Sequence, residues 1–246
     1  MSTLVESQEF VVSTTELDRF GLLKMSAILD YFQTTAGIHV TKIKLSREEM
    51  LKKNLIWVLV RNKIQIVKPS FDIVKAECTS WPHKANKLTS VRDYELRNEK
   101  DELVVKGSSV WALYDIKKNF ISRFPENFFV GEFLDKKIFE NDLEKLHVYP
   151  KSELTFCHNI SVKKSMYDQN MHVNNAVYAS FIYDDLSTKD VSIVEIQIDY
   201  INQLHVDGEF NLYKKELSEN ELYYAGFVEN KLIFSSIVRY QNEPNN

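Results

Sequence analysis

Apolar residues recur along the first half of the chain in two different periods. Glu9–Ser13 alternates like a short strand. From Lys24 to Gly37, Met25, Ile28, Leu29 and Phe32 fall at i, i+3, i+4 and i+7, which predicts a helix with one apolar face. Strand-like runs follow at about Leu55–Lys68, Ile73–Trp81, Lys87–Arg97 and Leu103–Leu113. Turn material separates them: Pro69-Ser70, Pro82 with Asn86, and Asn98 to Asp101. The second half returns to the same order. Thr155–Lys163 is strand-like, and Asn174–Asp185 is helix-like with Val177, Tyr178, Phe181 and Ile182 on one face. Further runs come at about Val191–Ile201, Glu209–Glu216, Glu221–Val228 and Leu232–Tyr240. Asp207-Gly208, Ser218 to Asn220 and Glu229-Asn230 break them, the last as a tight hairpin turn.

Strand, helix and a meander of long antiparallel strands, written twice, predict an α+β chain of two hotdog units. In each, a helix is wrapped by a curved antiparallel sheet. The expected organisation is an N-terminal unit over residues 1–125, a charged linker over 126–153 with a short helix near Lys136–Leu146, and a C-terminal unit over 154–246. Two unrelated α+β domains, or one mixed fold without a true repeat, are the competing readings. The matching order of elements favours the repeat.

Composition narrows the class. With 44% hydrophobic and 27% charged residues, 246 residues suffice for a sizeable core, and a formal net charge of −4 argues against a nucleic-acid binder. Residues 1–19 hold no apolar run and carry Glu6, Glu9, Glu16 and Asp18, so they read as neither a secretory signal nor a transit peptide. No apolar stretch is long enough for a membrane span. Cys78 and Cys157 lie far apart and in no metal-binding spacing, which suits a reducing, cytoplasmic setting. No metal or other cofactor is expected.

The chemistry concentrates at residues 168–175, Asp-Gln-Asn-Met-His-Val-Asn-Asn. A carboxylate (Asp168), a carboxamide (Asn170) and an imidazole (His172) precede a helical pattern, where unpaired backbone N–H groups can meet developing negative charge. Asp168 can act as a general base on water or as a nucleophile itself. Asn170 can orient a water or a carbonyl, and His172 can donate to the reacting oxygen or hold Asp168. The N–H groups of Val173, Asn174 and Asn175 are the expected oxyanion donors. The same residue types also serve as turn formers and caps, Asn174 or Asn175 as an N-cap, and composition alone favours that reading. The equivalent helix entry of the first half, Leu17-Asp18-Arg19-Phe20-Gly21, has one acid and no Asn-x-His.

Several segments resemble the acyl-acyl carrier protein thioesterases, a double-hotdog family of bacteria and plant plastids. Trp81 leads to Val91-Arg92-Asp93-Tyr94-Glu95-Leu96, similar to that family's Arg-Asp-Trp strand. Ser108-Ser109-Val110-Trp111-Ala112-Leu113-Tyr114, then Arg123-Phe124-Pro125, resembles its Ser-x-Trp strand and the stretch beyond. Asp168-x-Asn170-x-His172-Val173-Asn174-Asn175-x-x-Tyr178 matches its active-site motif, and Ile198-Asp199-Tyr200 the strand before its last catalytic residues. The resemblance runs over about residues 8–240. It implies hydrolysis of fatty acyl thioesters on acyl carrier protein, with Asp168, Asn170 and His172 as the site.

The chain departs from plant members at one point. Gln203 and Leu204 stand where those have a glutamate and a cysteine, so a cysteine nucleophile is excluded there and Gln203 can only position water. Asp199 is held in reserve. The resemblance also makes the first unit the house of the acyl chain, with Met25, Ile28, Leu29, Phe32, Trp57 and Leu59 as candidate liners, although core is the commoner fate of such residues. His39 reads as structural. Lys117-Lys118, Lys136-Lys137 and Lys163-Lys164 offer charge to an acidic carrier protein. A homodimer is left open. The alternatives are a hotdog acyl-coenzyme A thioesterase and, given Gln203, a non-catalytic acyl-binding protein.

Overall fold

The computed structural model describes residues 3–169, 171–186, 191–204 and 208–242. The chain divides into two compact units, residues 1–62 with 66–143, and residues 63–65 with 144–246. The first unit holds strand β1 (Glu6–Val11), helices α1 (Met25–Lys42) and α2 (Arg47–Lys52), and strands β2 (Leu55–Ile66), β3 (Lys75–Pro82), β4 (Thr89–Asn98), β5 (Leu103–Asp115) and the short β6 (Phe120–Ser122). The second holds β7 (Thr155–Ser161), α3 (Val177–Leu186), β8 (Val191–Tyr200), β9 (Glu209–Ser218), β10 (Glu221–Val228) and β11 (Lys231–Asn242).

The strands of the first unit lie in the order β1-β3-β4-β5-β2, and those of the second in the order β7-β9-β10-β11-β8. Each unit thus takes its strands in the order first, third, fourth, fifth, second. The pairings β1–β3, β3–β4 and β4–β5 in one unit, and β7–β9, β9–β10, β10–β11 and β11–β8 in the other, are antiparallel. This is the tandem hotdog arrangement. Helix α1 lies on β1 and β3, and α3 on β8.

The apolar stripe predicted for α1 is buried: Met25, Ile28, Leu29 and Phe32 are all inside, and the helix continues to Lys42 rather than ending at Gly37. Each such side chain contributes about 1.5–3 kcal/mol when removed from water. Phe32 stacks on Tyr94 with ring centroids 4.3 Å apart, over Gly107 of β5. A Cβ at residue 107 would sit 2.1 Å from Phe32 Cε2, so only glycine admits the ring. In the second unit Gly226 of β10 makes room for a ring of the paired strand instead: a Cβ there would lie 2.3 Å from Phe234 Cε1 of β11. Trp57 is half-buried beside Leu55, Leu113 and Phe129, its indole Nε1 donating to Leu45 O at 3.0 Å, and Leu59 is buried.

The short helix expected near Lys136–Leu146 does not form. Side chains of the sheets satisfy that segment's backbone, so no i→i−4 ladder is needed. In the first unit Trp81 Nε1 donates to Lys136 O, Arg61 Nη1 donates to Leu143 O, and Asp93 Oδ2 accepts from Ile138 N–H. In the second, Gln197 Nε2 donates to Glu144 O and Asp199 Oδ2 accepts from Leu146 N–H. Helix α2 and strand β6 have no counterpart among the elements expected from the sequence. No helix among the described residues is long and apolar enough to cross a membrane.

His39, buried on α1, accepts from Arg92 Nη1 at 3.1 Å. Burial, then the Arg92 charge, lowers its pKa from 6.5 to about 4. The unfolded imidazole binds a proton near 6.5 that the folded one resists, so stability is lost as pH falls from about 6.5 towards 4. His39→Gln should flatten that part of a plot of Tm against pH.

Candidate active site

The segment from Lys163 to Ala176 is a closed loop. It opens with a 3-10 turn, Lys164–Met166. Asp168 N–H donates to His172 O at 2.8 Å, Met171 N–H to Asp168 O at 3.1 Å, and Asn174 N–H to Met166 O at 2.9 Å. Asp168 Oδ1 accepts from His172 N–H at 3.2 Å. Asp168 and His172 are therefore joined through the backbone, and both are half-buried. Asn170 lies outside the described residues.

The helix entry of the first unit forms the same loop. A 3-10 turn at Thr14–Glu16 leads to Asp18, whose N–H donates to Leu22 O at 2.7 Å; Gly21 N–H donates to Asp18 O at 3.1 Å, and Lys24 N–H to Glu16 O at 2.9 Å. Asp18 Oδ1 accepts from Leu22 N–H at 3.0 Å and from Phe20 N–H at 2.8 Å. Asp18 thus matches Asp168, Phe20 matches Asn170, and Leu22 matches His172. One oxygen of Asp168 does the turn-forming work that an aspartate does in either unit. What the second unit adds is the carboxamide and the imidazole. The signal for this equivalence is Leu17-Asp18 against Tyr167-Asp168, and differing flanking residues mask it in the sequence.

Both loops need a left-handed residue at the tip. Gly21 has φ 78° and Met171 has φ 61°. A methyl group at Gly21 would also stand 2.7 Å from Asp72 Oδ1. Gly21→Ala is expected to destabilise the protein by about 1–3 kcal/mol, measured by urea unfolding.

The expected oxyanion donors need one correction. Helix α3 begins at Val177, so residues 173–175 precede the helix rather than open it. The Asn174 N–H is spent on Met166 O. Asn174 instead works as a cap: its Oδ1 accepts from Ala176 N–H at 3.0 Å, and its O from Val177 N–H at 3.0 Å. Val173 faces Tyr167 as a non-hydrogen-bonded antiparallel pair, so its N–H points away from the loop closure.

Tyr200, which the sequence marks only as part of a matching strand, anchors the loop. Its hydroxyl donates to Asn175 O at 2.9 Å, and its ring meets Tyr178 edge-on at 5.4 Å. Asp199, one residue earlier, faces the other side of β8. It is buried, and its oxygens accept from Leu146 N–H at 3.0 Å and Gln197 Nε2 at 3.2 Å. Asp199 is thereby a structural acid, not a reserve base. Gln203 follows β8 in an exposed stretch. Burial pushes both cysteine thiols, Cys78 and Cys157, up to about 12, so neither is a ready nucleophile. Among the described residues no cluster suited to a metal ion occurs.

Comparison with known proteins gives this geometry a family. Residues 3–131 match the acyl-ACP thioesterase N-terminal domain, and residues 149–233 the acyl-ACP thioesterase C-terminal domain. The chain belongs to the acyl-ACP thioesterase family. The motif loop and Tyr200 fall within the C-terminal match. A chloroplastic palmitoyl-acyl carrier protein thioesterase of Gossypium hirsutum is 27% identical over 197 residues, covering 74% of this chain and 47% of the relative. The chain therefore spans about half the length of the curated relatives it matches. Among solved structures, an acyl-ACP thioesterase from Bacteroides thetaiotaomicron superposes with a TM-score of 0.82 at 20% identity, covering 97% of this chain and 98% of that one. A 12:0-ACP thioesterase from Umbellularia californica gives 0.86 at 16% identity, covering 98% of each. These structures support the double-hotdog fold.

Proposed function

We propose that this chain hydrolyses fatty acyl thioesters carried on acyl carrier protein, releasing free fatty acid, and that Asp168, Asn170, His172 and Gln203, with the N–H groups of Val173 and Asn175, carry the chemistry. The observation that carries the reading is the combination of two matched family domains with a closed loop in which the Asp168 carboxylate holds the backbone N–H of His172. The Asp168 carboxylate, which closes the loop through Oδ1, is also assigned the chemistry. It takes a proton from a water, and the hydroxide so formed adds to the thioester carbon. Gln203 and Asn170 orient the water and the carbonyl. The Val173 and Asn175 N–H groups stabilise the oxyanion, and the tetrahedral intermediate expels the thiolate, which is protonated by His172; the imidazole recovers its proton from Asp168, which restores both groups.

A reducing, cytoplasmic compartment suits the two free cysteines. Of the lysine pairs, Lys136 is bound to Glu95 at 2.6 Å and Lys137 to Asp142 at 3.1 Å, while Lys118 pairs with Asp115 at 3.6 Å. Lys163 and Lys164 are exposed and adjoin the motif loop. They are the assigned docking point for an acidic carrier protein. Lys163→Glu with Lys164→Glu should raise KM for carrier-protein esters and leave kcat near wild type.

The direct test is hydrolysis of acyl-carrier-protein esters of graded chain length, with matched coenzyme A esters alongside. Release of free acid from the carrier-protein set, well above the coenzyme A set, supports the reading. Turnover confined to coenzyme A esters moves the substrate to that class. Acyl-ligand retention with no release from either set makes it a binding protein.

A further inference from the structure

Beneath the central helix of each unit lies a knot of polar side chains, partly exposed in the second unit and buried in the first, and the two knots differ in charge balance. In the second unit Asp185 of α3 accepts from Lys214 Nζ at 2.7 Å and from Tyr224 Oη at 2.8 Å. His158 Nδ1 stands 3.7 Å from its other oxygen. Burial opposes the charge, but these donors hold the Asp185 carboxyl below the usual range. Acid and base are matched.

The repeat identifies the corresponding residues of the first unit. Aligning Asp18 with Asp168 carries Thr35 of α1 onto Asp185 and Phe10 of β1 onto Ile160. Phe10 pairs with Ala76 as Ile160 pairs with Phe210, which sets Ser80 at the place of Lys214. Ser80 pairs with Tyr94 as Lys214 pairs with Tyr224. Thr35, Ser80 and Tyr94 therefore replace Asp185, Lys214 and Tyr224. The acid and the lysine have both become hydroxyls, yet the place is not neutral. Arg92, two residues along β4 and on the same face as Tyr94, brings a guanidinium into it.

Arg92 is 5% exposed, and Thr35 is 0% exposed. Nη1 of Arg92 donates to Ser80 Oγ and to His39 Nδ1, each at 3.1 Å, and neither partner is an acid. Glu6, whose charge reaches Arg92, is itself held by Lys42 Nζ and Gln8 Nε2, each at 2.6 Å. Nε and Nη2 of Arg92 make no hydrogen bond with a described residue. Thr35 Oγ1 has no partner beyond the Cys78 thiol beside it, a weak hydrogen-bonding group. A buried cation without its own carboxylate and a buried hydroxyl without a partner are both costly, and both costs fall on the spot where the sister unit holds an aspartate.

We propose that Arg92 and Thr35 form a carboxylate-binding site inside the first unit, the ligand supplying the group that Asp185 supplies in the second. The guanidinium takes the carboxylate through its remaining N–H groups, the geometry for which arginine is suited, and the Thr35 hydroxyl donates to it. A free fatty acid is the assigned ligand. That assignment rests on the proposed hydrolysis, whereas the site itself does not.

The test is a binding titration of the intact protein with sodium decanoate, with acetate and sulfate at matched ionic strength, by calorimetry and tryptophan fluorescence. Trp111 reports on the site, since its Nε1 donates to Ser109 Oγ at 2.7 Å and Ser109 Oγ donates to Arg92 O at 3.4 Å. Saturable decanoate binding is expected, with acetate weaker and sulfate absent. Binding of acetate as tightly as decanoate keeps the carboxylate site and removes the fatty acid from it. Arg92→Met should weaken binding at least tenfold. Because that variant can lose stability, Thr35→Asp is the second probe. It restores the internal acid, and should raise Tm by a few degrees while weakening decanoate at least tenfold. Asp168→Asn should bind decanoate as wild type does, whether or not the protein hydrolyses thioesters. The proposal is overturned by no saturable carboxylate binding, by Thr35→Asp lowering Tm with affinity unchanged, or by loss of binding in Asp168→Asn.

Discussion

Asp168→Asn is expected to fold as the parent does and to lose about 10²–10⁴-fold in kcat for the proposed thioester hydrolysis, the usual worth of a positioned base. The substitution keeps an oxygen that can accept from the His172 N–H, so the loop closes as in the parent. It removes the charge that draws a proton from water in the proposed mechanism. Asp168→Ala removes both, and should also lose about 0.5–2 kcal/mol of stability as a lost cap does. The first unit supplies the control. Asp18 closes an equivalent loop by the same bonds, but Phe20 and Leu22 stand where the second unit has Asn170 and His172. Asp18→Asn should leave kcat unchanged, and Asp18→Ala should cost stability without a matching loss of rate. Full activity in Asp168→Asn would reduce Asp168 to a turn former in both units, and the proposed base would have to be sought elsewhere. Steady-state kinetics and thermal unfolding on the same four variants separate these outcomes.

Phe32→Ala should cost about 3–5 kcal/mol of stability, the range for a large aromatic removed from a closed core. The ring is 3% exposed, stacks on Tyr94 and fills the space that Gly107 vacates. Two readings of this residue predict opposite results. A liner of an open acyl pocket would be truncated at little cost in stability, and the enlarged pocket would accept longer chains. A ring packed as this one is leaves a cavity when removed, and Tm falls. Gly107→Ala attacks the same contact from the sheet side and should also be destabilising, since the ring must leave its place to admit a methyl group. Urea unfolding with a chain-length profile on the Phe32 variant decides between pocket and core.

The amphipathic period of α1 and α3, the alternation of the strands and the glycine and asparagine breaks are local properties, and they make the doubled element order legible in the chain itself. They do not fix where elements end. The helix expected over Lys24–Gly37 extends to Lys42 because Thr35 and His39 are buried, and two polar residues on an apolar stripe look like its end until their partners on the sheet are known. The segment around Lys136–Leu146 has helix-forming residues, yet forms no helix because Trp81, Asp93, Arg61, Gln197 and Asp199 take its backbone groups. Those partners are far away in sequence, and no local pattern announces them.

The same division holds at the functional site. The sequence by itself determined the repeat, the family resemblance and the stretch in which the reactive residue types gather, because each is written in consecutive residues. Only the tertiary structure decided what those residues already do. It committed one oxygen of Asp168 and the N–H of Asn174 to closing a loop, turned Asp199 away from that loop, and brought Tyr200 onto it. It also set Thr35 where its sister unit holds Asp185, and left Arg92 buried beside it. Hydrogen bonds between distant strands carry this information, and a linear pattern does not record which of its polar groups such bonds have already used.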